Sequence, residues 1–97
     1  MIKHIVMWNI KEDLDLDRTR QTLKEKLEAL THAVESLKEL SVGFNYNTSE
    51  AKRDVVLITS FLDKDGLDAY IVHPAHVQVG EYVRQVTKDR VVVDYEY

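Results

Sequence analysis

The stretch AYIVHPAHVQV, residues 69–79, gathers the side chains best suited to chemistry in this chain. It places His73 and His76 on either side of Pro74, with Tyr70 just upstream. A histidine titrates near neutral pH and can take or give a proton during turnover. A tyrosine hydroxyl can donate to an oxygen on which negative charge develops. Three roles are open to the histidines: metal ligand, packing residue and acid–base catalyst.

Metal binding is the poorest fit. Two histidines three positions apart share a metal readily on a regular helix, but Pro74 interrupts that regularity. The chain has no cysteine, and no neighbouring Asp or Glu completes the set. A catalytic zinc takes three protein ligands, and His4 is the candidate third only if the fold brings it close. No metal site is therefore expected. In a packing role, His73 would bond backbone groups freed at the proline, and His76 would satisfy its ring nitrogens within a core. In a catalytic role, His76, Tyr70 and His4 would meet in an apolar pocket suited to proton abstraction beside a carbonyl. His76 would be the general base, Tyr70 the oxyanion donor and His4 an orienting or auxiliary group. No cofactor is required, because side chains supply all three functions.

These residues must be held by the elements around them. IKHIVMWNI, residues 2–10, alternates as a strand, with His4, Val6 and Trp8 on one face and Ile5 and Met7 on the other. The acidic lead-in KEDLDLD, residues 11–17, favours the positive N-terminal end of a helix. A carboxylate metal cluster is the alternative there. Leu16, Leu23, Leu27, Leu30, Val34 and Leu37 then recur at helical spacing and predict one long helix, with His32 on its solvated side. LKELSVGFNYN alternates as a second strand through Leu40, Val42, Phe44 and Tyr46, NTSEAKRD reads as a polar loop, and VVLITSFL as a third strand rich in β-branched residues. Asp63 is a good N-cap for a short helix that Pro74 must stop at His73. Pro74 suits the first turn of another helix, on which His76, Val79, Val83 and Val86 form a stripe. RVVVDYEY closes as a fourth strand. The order is β-α-β-β-α-β, a ferredoxin-like α+β plait whose second helix is broken in two.

The 97 residues suit one domain, residues 1–97. The longest apolar stretch is too short to span a bilayer and is interrupted by Lys3, His4 and Asn9, and it carries no signal-peptide cleavage region. Membrane insertion is not expected, and the cytoplasm is the expected location. A net charge of −4 with no basic run argues against nucleic acid as a partner. Both strand parities are largely apolar. One carries Ile5, Met7, Leu40, Val42, Phe44, Val56, Ile58, Val91, Val93 and Tyr95; the other carries Val6, Trp8, Leu57, Phe61 and Val92. In a plait the helices cover one face only, so the other calls for a second copy of the chain, and a homodimer is expected.

IKHIVMW, YIVHPAHVQV and RVVVDYEY together resemble the stress-responsive A/B barrel (Dabb) family. The resemblance spans nearly the whole chain, and the H-P-x-H block is its most specific part. It implies a dimeric α+β barrel in which two four-stranded sheets meet face to face. Most members have no assigned reaction, but plant members include stress proteins and a polyketide cyclase with a pocket between helices and sheet. The resemblance implies catalytic roles for His76 and Tyr70 and a place in the pocket for His4. His73 matches the histidine before the proline. Aromatic pocket positions correspond to the neighbourhood of Leu23, Lys24 and Leu27, and apolar ones to Thr87 and Arg90, which argues against a long-chain polyketide substrate. Arg90 either binds an acidic group on a ligand or lies on the surface.

The expected pocket is lined by Val6, Trp8, Leu27, Leu57, Val79 and Arg90 around His76, Tyr70 and His4. The function expected first is small-molecule binding, extending to a cofactor-free lyase, cyclase or isomerase. Two alternatives stand beside it. One is a non-catalytic stress or interaction protein whose histidines only join the helix break to the sheet. The other is a cofactor-free oxygenase, by analogy of fold alone.

Overall fold

The computed structural model describes residues 1–97. The elements follow in the order β1 (Ile2–Ile10), α1 (Leu16–Glu28), α2 (Leu30–Ala33), β2 (Glu39–Phe44), β3 (Val55–Phe61), α3 (Lys64–Val72), α4 (Pro74–Val86) and β4 (Thr87–Glu96). The strands form one antiparallel sheet in the order β2-β3-β1-β4, with β1 and β3 at its centre. This is the ferredoxin-like α+β plait, with its helices on one face. No helix is long and apolar enough to cross a membrane.

Alternation decides which side of β1 is covered. Ile2, His4, Val6, Trp8 and Ile10 are all buried, and Val55, Leu57, Thr59 and Phe61 of β3 share that face with them. Leu23, Leu27 and Leu30 pack onto it from α1 and α2, and Leu67, Tyr70 and Val83 from α3 and α4.

The long helix foreseen from the leucine spacing is shorter than expected. Asp15 caps its start by accepting from the Arg18 N–H at 2.9 Å. The buried stripe of α1 runs through Thr19, Leu23 and Leu27, while Leu16 is exposed. Val34 is extended, at φ −116° and ψ 111°, and with Leu37 it is buried in the connection to β2. Helical spacing of apolar residues continued past the helix because the connection packs on the same core. His32 is exposed.

A second correction concerns β2. Its register pairs Leu40 with Thr59, Val42 with Leu57 and Phe44 with Val55, so these side chains share the helix-covered face. Ser41 and Gly43 take their place on the open face. Tyr46 lies beyond the strand and is almost fully exposed. The open face is nonetheless apolar across β1, β3 and β4, through Ile5, Met7, Val56, Ile58, Val91, Val93 and Tyr95.

The second helix breaks where Pro74 demanded. Asp63 caps α3 through the Gly66 N–H at 2.8 Å. His73 is extended, at φ −62° and ψ 135°, and Pro74 opens α4. Strand β4 begins earlier than the sequence suggested, at Thr87, and carries a β-bulge opposite Trp8.

Candidate active site

Each functional side chain is placed by a different local rule. His4 faces the helices because it shares parity with Val6 and Trp8. Tyr70 is in the last turn of α3, and His76 in the first turn of α4. In an unbroken helix the Ala75 N–H would donate to the Ile71 carbonyl. Here it donates instead to His73 Nδ1 at 3.0 Å, so His73 caps α4. His76 Nδ1 lies 3.0 Å from the Ile71 oxygen. A carbonyl can only accept, so Nδ1 carries the proton and, in the neutral ring, Nε2 is left with its lone pair.

A cavity of about 250 Å³ opens between the helices and the sheet. His4, Val6 and Trp8 of β1, Leu57 of β3 and Arg90 of β4 form its floor. Leu27 of α1, Tyr70 of α3 and His76 and Val79 of α4 face them. The structure thus brings together every residue expected there from sequence. His73 is not among the lining residues. Leu30, Gly80, Val83 and Arg84 also line the cavity. Gly80 and Arg84 lie four and eight positions after His76, which is the helical spacing that would have found them.

Tyr70 is 0% exposed, and its hydroxyl has no hydrogen-bond partner in the chain. Burial pushes its pKa up to about 12, so the group stays protonated and can only act as a donor or neutral acceptor near neutral pH. Its ring packs 5.1 Å from Phe61, 4.4 Å from His76 and 6.4 Å from His4, centroid to centroid. Burial also lowers the His76 pKa. The bond to the Ile71 carbonyl opposes that shift, and the charges of His4, Arg90 and Arg84 reinforce it. The neutral imidazole is therefore favoured, as a general base requires.

His4 is buried, and its Nδ1 pairs with the Asp94 carboxylate directly across the β1–β4 ladder. That contact fixes the ring, and Asp94 escaped the sequence reading. Its signal is an acid on the inward parity of an otherwise valine-rich strand. No three His, Cys, Asp or Glu side chains gather closely enough to hold a metal ion.

The chain as a whole is similar to known proteins in sequence and fold. The family model described as Stress responsive A/B Barrel Domain matches residues 2–97. An uncharacterized protein of Streptomyces coelicolor is 28% identical over 98 residues, covering both chains fully. A crystal structure from Bacteroides fragilis, described as a dimeric protein of unknown function with a ferredoxin-like fold, is 29% identical. It covers 99% of this chain and 95% of that one, with a TM-score of 0.87. The hydroxynitrile lyase of Passiflora edulis has a TM-score of 0.86, covering 97% of this chain and 90% of its own. At 15% identity the likeness is one of fold alone.

Proposed function

The chain belongs to the stress-responsive A/B barrel domain family, and from that premise we propose that it binds a small carbonyl compound between helices and sheet and moves a proton on it without a cofactor. The observation that carries this reading is the Tyr70 hydroxyl: buried, protonated, unpartnered within the chain, and on a ring packed against His76. A buried hydroxyl without a partner costs stability, and a bound carbonyl oxygen would satisfy it. His76 Nε2 would take a proton from the carbon beside that carbonyl. The electron pair of the broken C–H bond would move to the oxygen as an enolate, stabilised by the Tyr70 O–H. Return of the proton to a different carbon completes an isomerisation. Attack of the enolate carbon on a second carbonyl, or expulsion of a leaving group, gives a cyclase or a lyase. The Asp94–His4 pair would hold one wall of the pocket in register.

Exchange of deuterium from solvent into phenylacetone, followed by NMR, tests the chemistry with a neutral probe. The wild type should exceed the buffer rate, and both His76→Ala and Tyr70→Phe should fall back towards it. Binding without exchange would support a ligand carrier instead. Absence of both would favour the non-catalytic reading, which has one observation on its side: His73 and His76 each bond backbone groups at the helix break.

The open sheet face supports a homodimer as the assembled form. Met7, Val91, Val93 and Tyr95 are exposed there, beside Ile5 and Ile58. A second copy laying the same face against them would remove this surface from water. A cytoplasmic setting accords with the small-molecule role proposed.

A further inference from the structure

The chain carries a net charge of −4, yet the charges at the cavity are arranged differently. Arg84 and Arg90 both line it, from α4 and β4. The ion pairs of the structure are His4–Asp94, Lys52–Asp54 and Lys88–Glu12, and neither arginine enters one. Neither guanidinium makes a side-chain hydrogen bond, whereas Arg53 bonds the carbonyls of Lys52 and Asp89. No Asp or Glu is among the lining residues, and Asp94, which lies beside the lining residue His4, is taken by its ring.

Both arginines are exposed residues at the edge of the cavity, one on a helix and one on a strand. Gly80 lines it one turn before Arg84, and a Cβ built on Gly80 would lie 3.5 Å from Arg84 Nη1. The guanidinium therefore lies back along the helix over the glycine, towards His76. On β4 the bulge sets Asp89 and Arg90 against the single residue Trp8, between the pairs Met7–Val91 and Asn9–Lys88. Asp89 adopts φ +56°, in the left-handed region that Asp tolerates better than most residues. Its carboxylate accepts from Asn9 Nδ2 at 3.0 Å and its carbonyl accepts from Arg53 Nε at 2.9 Å. The extra residue shifts the phase of the strand. Arg90 faces the helix layer in phase with Val92, and the shift after it lets Thr87, paired with Ile10, face that layer too. Uninterrupted alternation would have put Lys88 on that side and turned Thr87 outward.

We infer that Arg84 and Arg90 form a carboxylate-binding rim, and that the natural ligand is a small oxo acid with its carboxylate at the rim and its carbonyl near Tyr70. The inference rests on the reading of the cavity as a carbonyl site and adds the substrate class. Arginine presents a planar fork of donors that matches a carboxylate with two parallel bonds. The apolar walls suit the remainder of the molecule, and a cavity below the ~300–1,000 Å³ of drug-sized sites limits it to a compact one.

Calorimetry with phenylpyruvate and with its methyl ester tests this, because the pair differ in charge but retain the same ketone. The wild type should bind phenylpyruvate about tenfold more tightly or better, and added salt should erode the difference. Arg84→Ala/Arg90→Ala should equalise the two probes, and Arg84→Lys/Arg90→Lys should keep part of the preference. Equal binding of both probes by the wild type overturns the carboxylate rim while leaving the carbonyl site standing. A preference that survives in the alanine pair overturns the assignment to these arginines. Failure of both probes to bind overturns the rim together with the reading beneath it. The comparison of probes on the wild type stands even where the alanine pair does not fold.

Discussion

The rings of Tyr70 and His76 lie 4.4 Å apart, centroid to centroid, and are tilted by 53° across the break between α3 and α4. In a continuous helix, residues six apart would point about 120° apart around the axis. The extended turn at His73 lets both face one cavity. The proline thus matters to the site through geometry rather than through any chemistry of its own.

Tyr70→Phe separates function from structure. The hydroxyl has no partner in the chain, so its removal orphans no other protein group. The melting temperature should stay level or rise, corresponding to as much as ~1–3 kcal/mol if the hydroxyl is dry in the free protein. Turnover should fall by about 10²–10³-fold, as on loss of an oxyanion donor. A marked drop in thermal stability by calorimetry would show that the hydroxyl has a structural partner.

The His76 shift has a definite sign. Its folded pKa lies below the ordinary 6.5, so near that value the unfolded chain binds more protons than the folded one. Stability contributed by the neutral ring is fully present above the unfolded pKa. It is lost as pH falls through 6.5 towards the folded value. Denaturation curves between pH 8 and pH 5 should show this loss, and His76→Gln should flatten that part of the profile. Proton-transfer activity should fall over the acid limb governed by the lowered pKa. An identical stability profile in the variant would show that other groups set the dependence.

The exposed face predicts the assembly. Sedimentation at micromolar concentration should give about twice the 11.3 kDa chain mass. Ile58→Asp or Val93→Asp should shift the protein to monomer or unfold it, since a carboxylate buried between two sheets costs several kcal/mol. Ile58 lies opposite Ile5 and Val93 opposite it on the other side, so the two positions test one continuous patch. A wild-type monomer at that concentration would refute the dimer.

Much of this site was legible because it depends on short-range rules. Parity put His4 with Val6 and Trp8, Pro74 marked the helix break, and the stripe through His76 and Val79 identified the inward side of α4. What escaped depends on pairings far along the chain. Whether Leu40, Val42 and Phe44 face the helices is settled by their register with β3, which alternation within β2 does not contain. Asp94 becomes a partner of His4 only once β4 lies beside β1. Lys88 and Asp89 look like an ordinary polar approach to a strand until the bulge shifts the phase there. The overestimated helix has a different cause: apolar spacing reports contact with the core, and Val34 and Leu37 keep that contact from a non-helical connection.

The two histidines that flank Pro74 should behave as opposites. His73 accepts from the Ala75 N–H as the N-cap of α4, at a part-buried bond. Its replacement by alanine removes a cap, worth typically ~0.5–2 kcal/mol, and leaves the cavity lining intact. His76 bonds the Ile71 carbonyl at an exposed position, where water can replace it, while its ring lines the cavity. His76→Ala should therefore cost less stability than His73→Ala and remove proton-transfer activity. His73→Asn should restore much of the stability lost in His73→Ala, because asparagine is a strong N-cap residue. Thermal denaturation and deuterium exchange measured on all three variants decide the matter. If His73→Ala loses activity while remaining folded, or if His76→Ala is the more destabilised and keeps its activity, the roles assigned here are reversed.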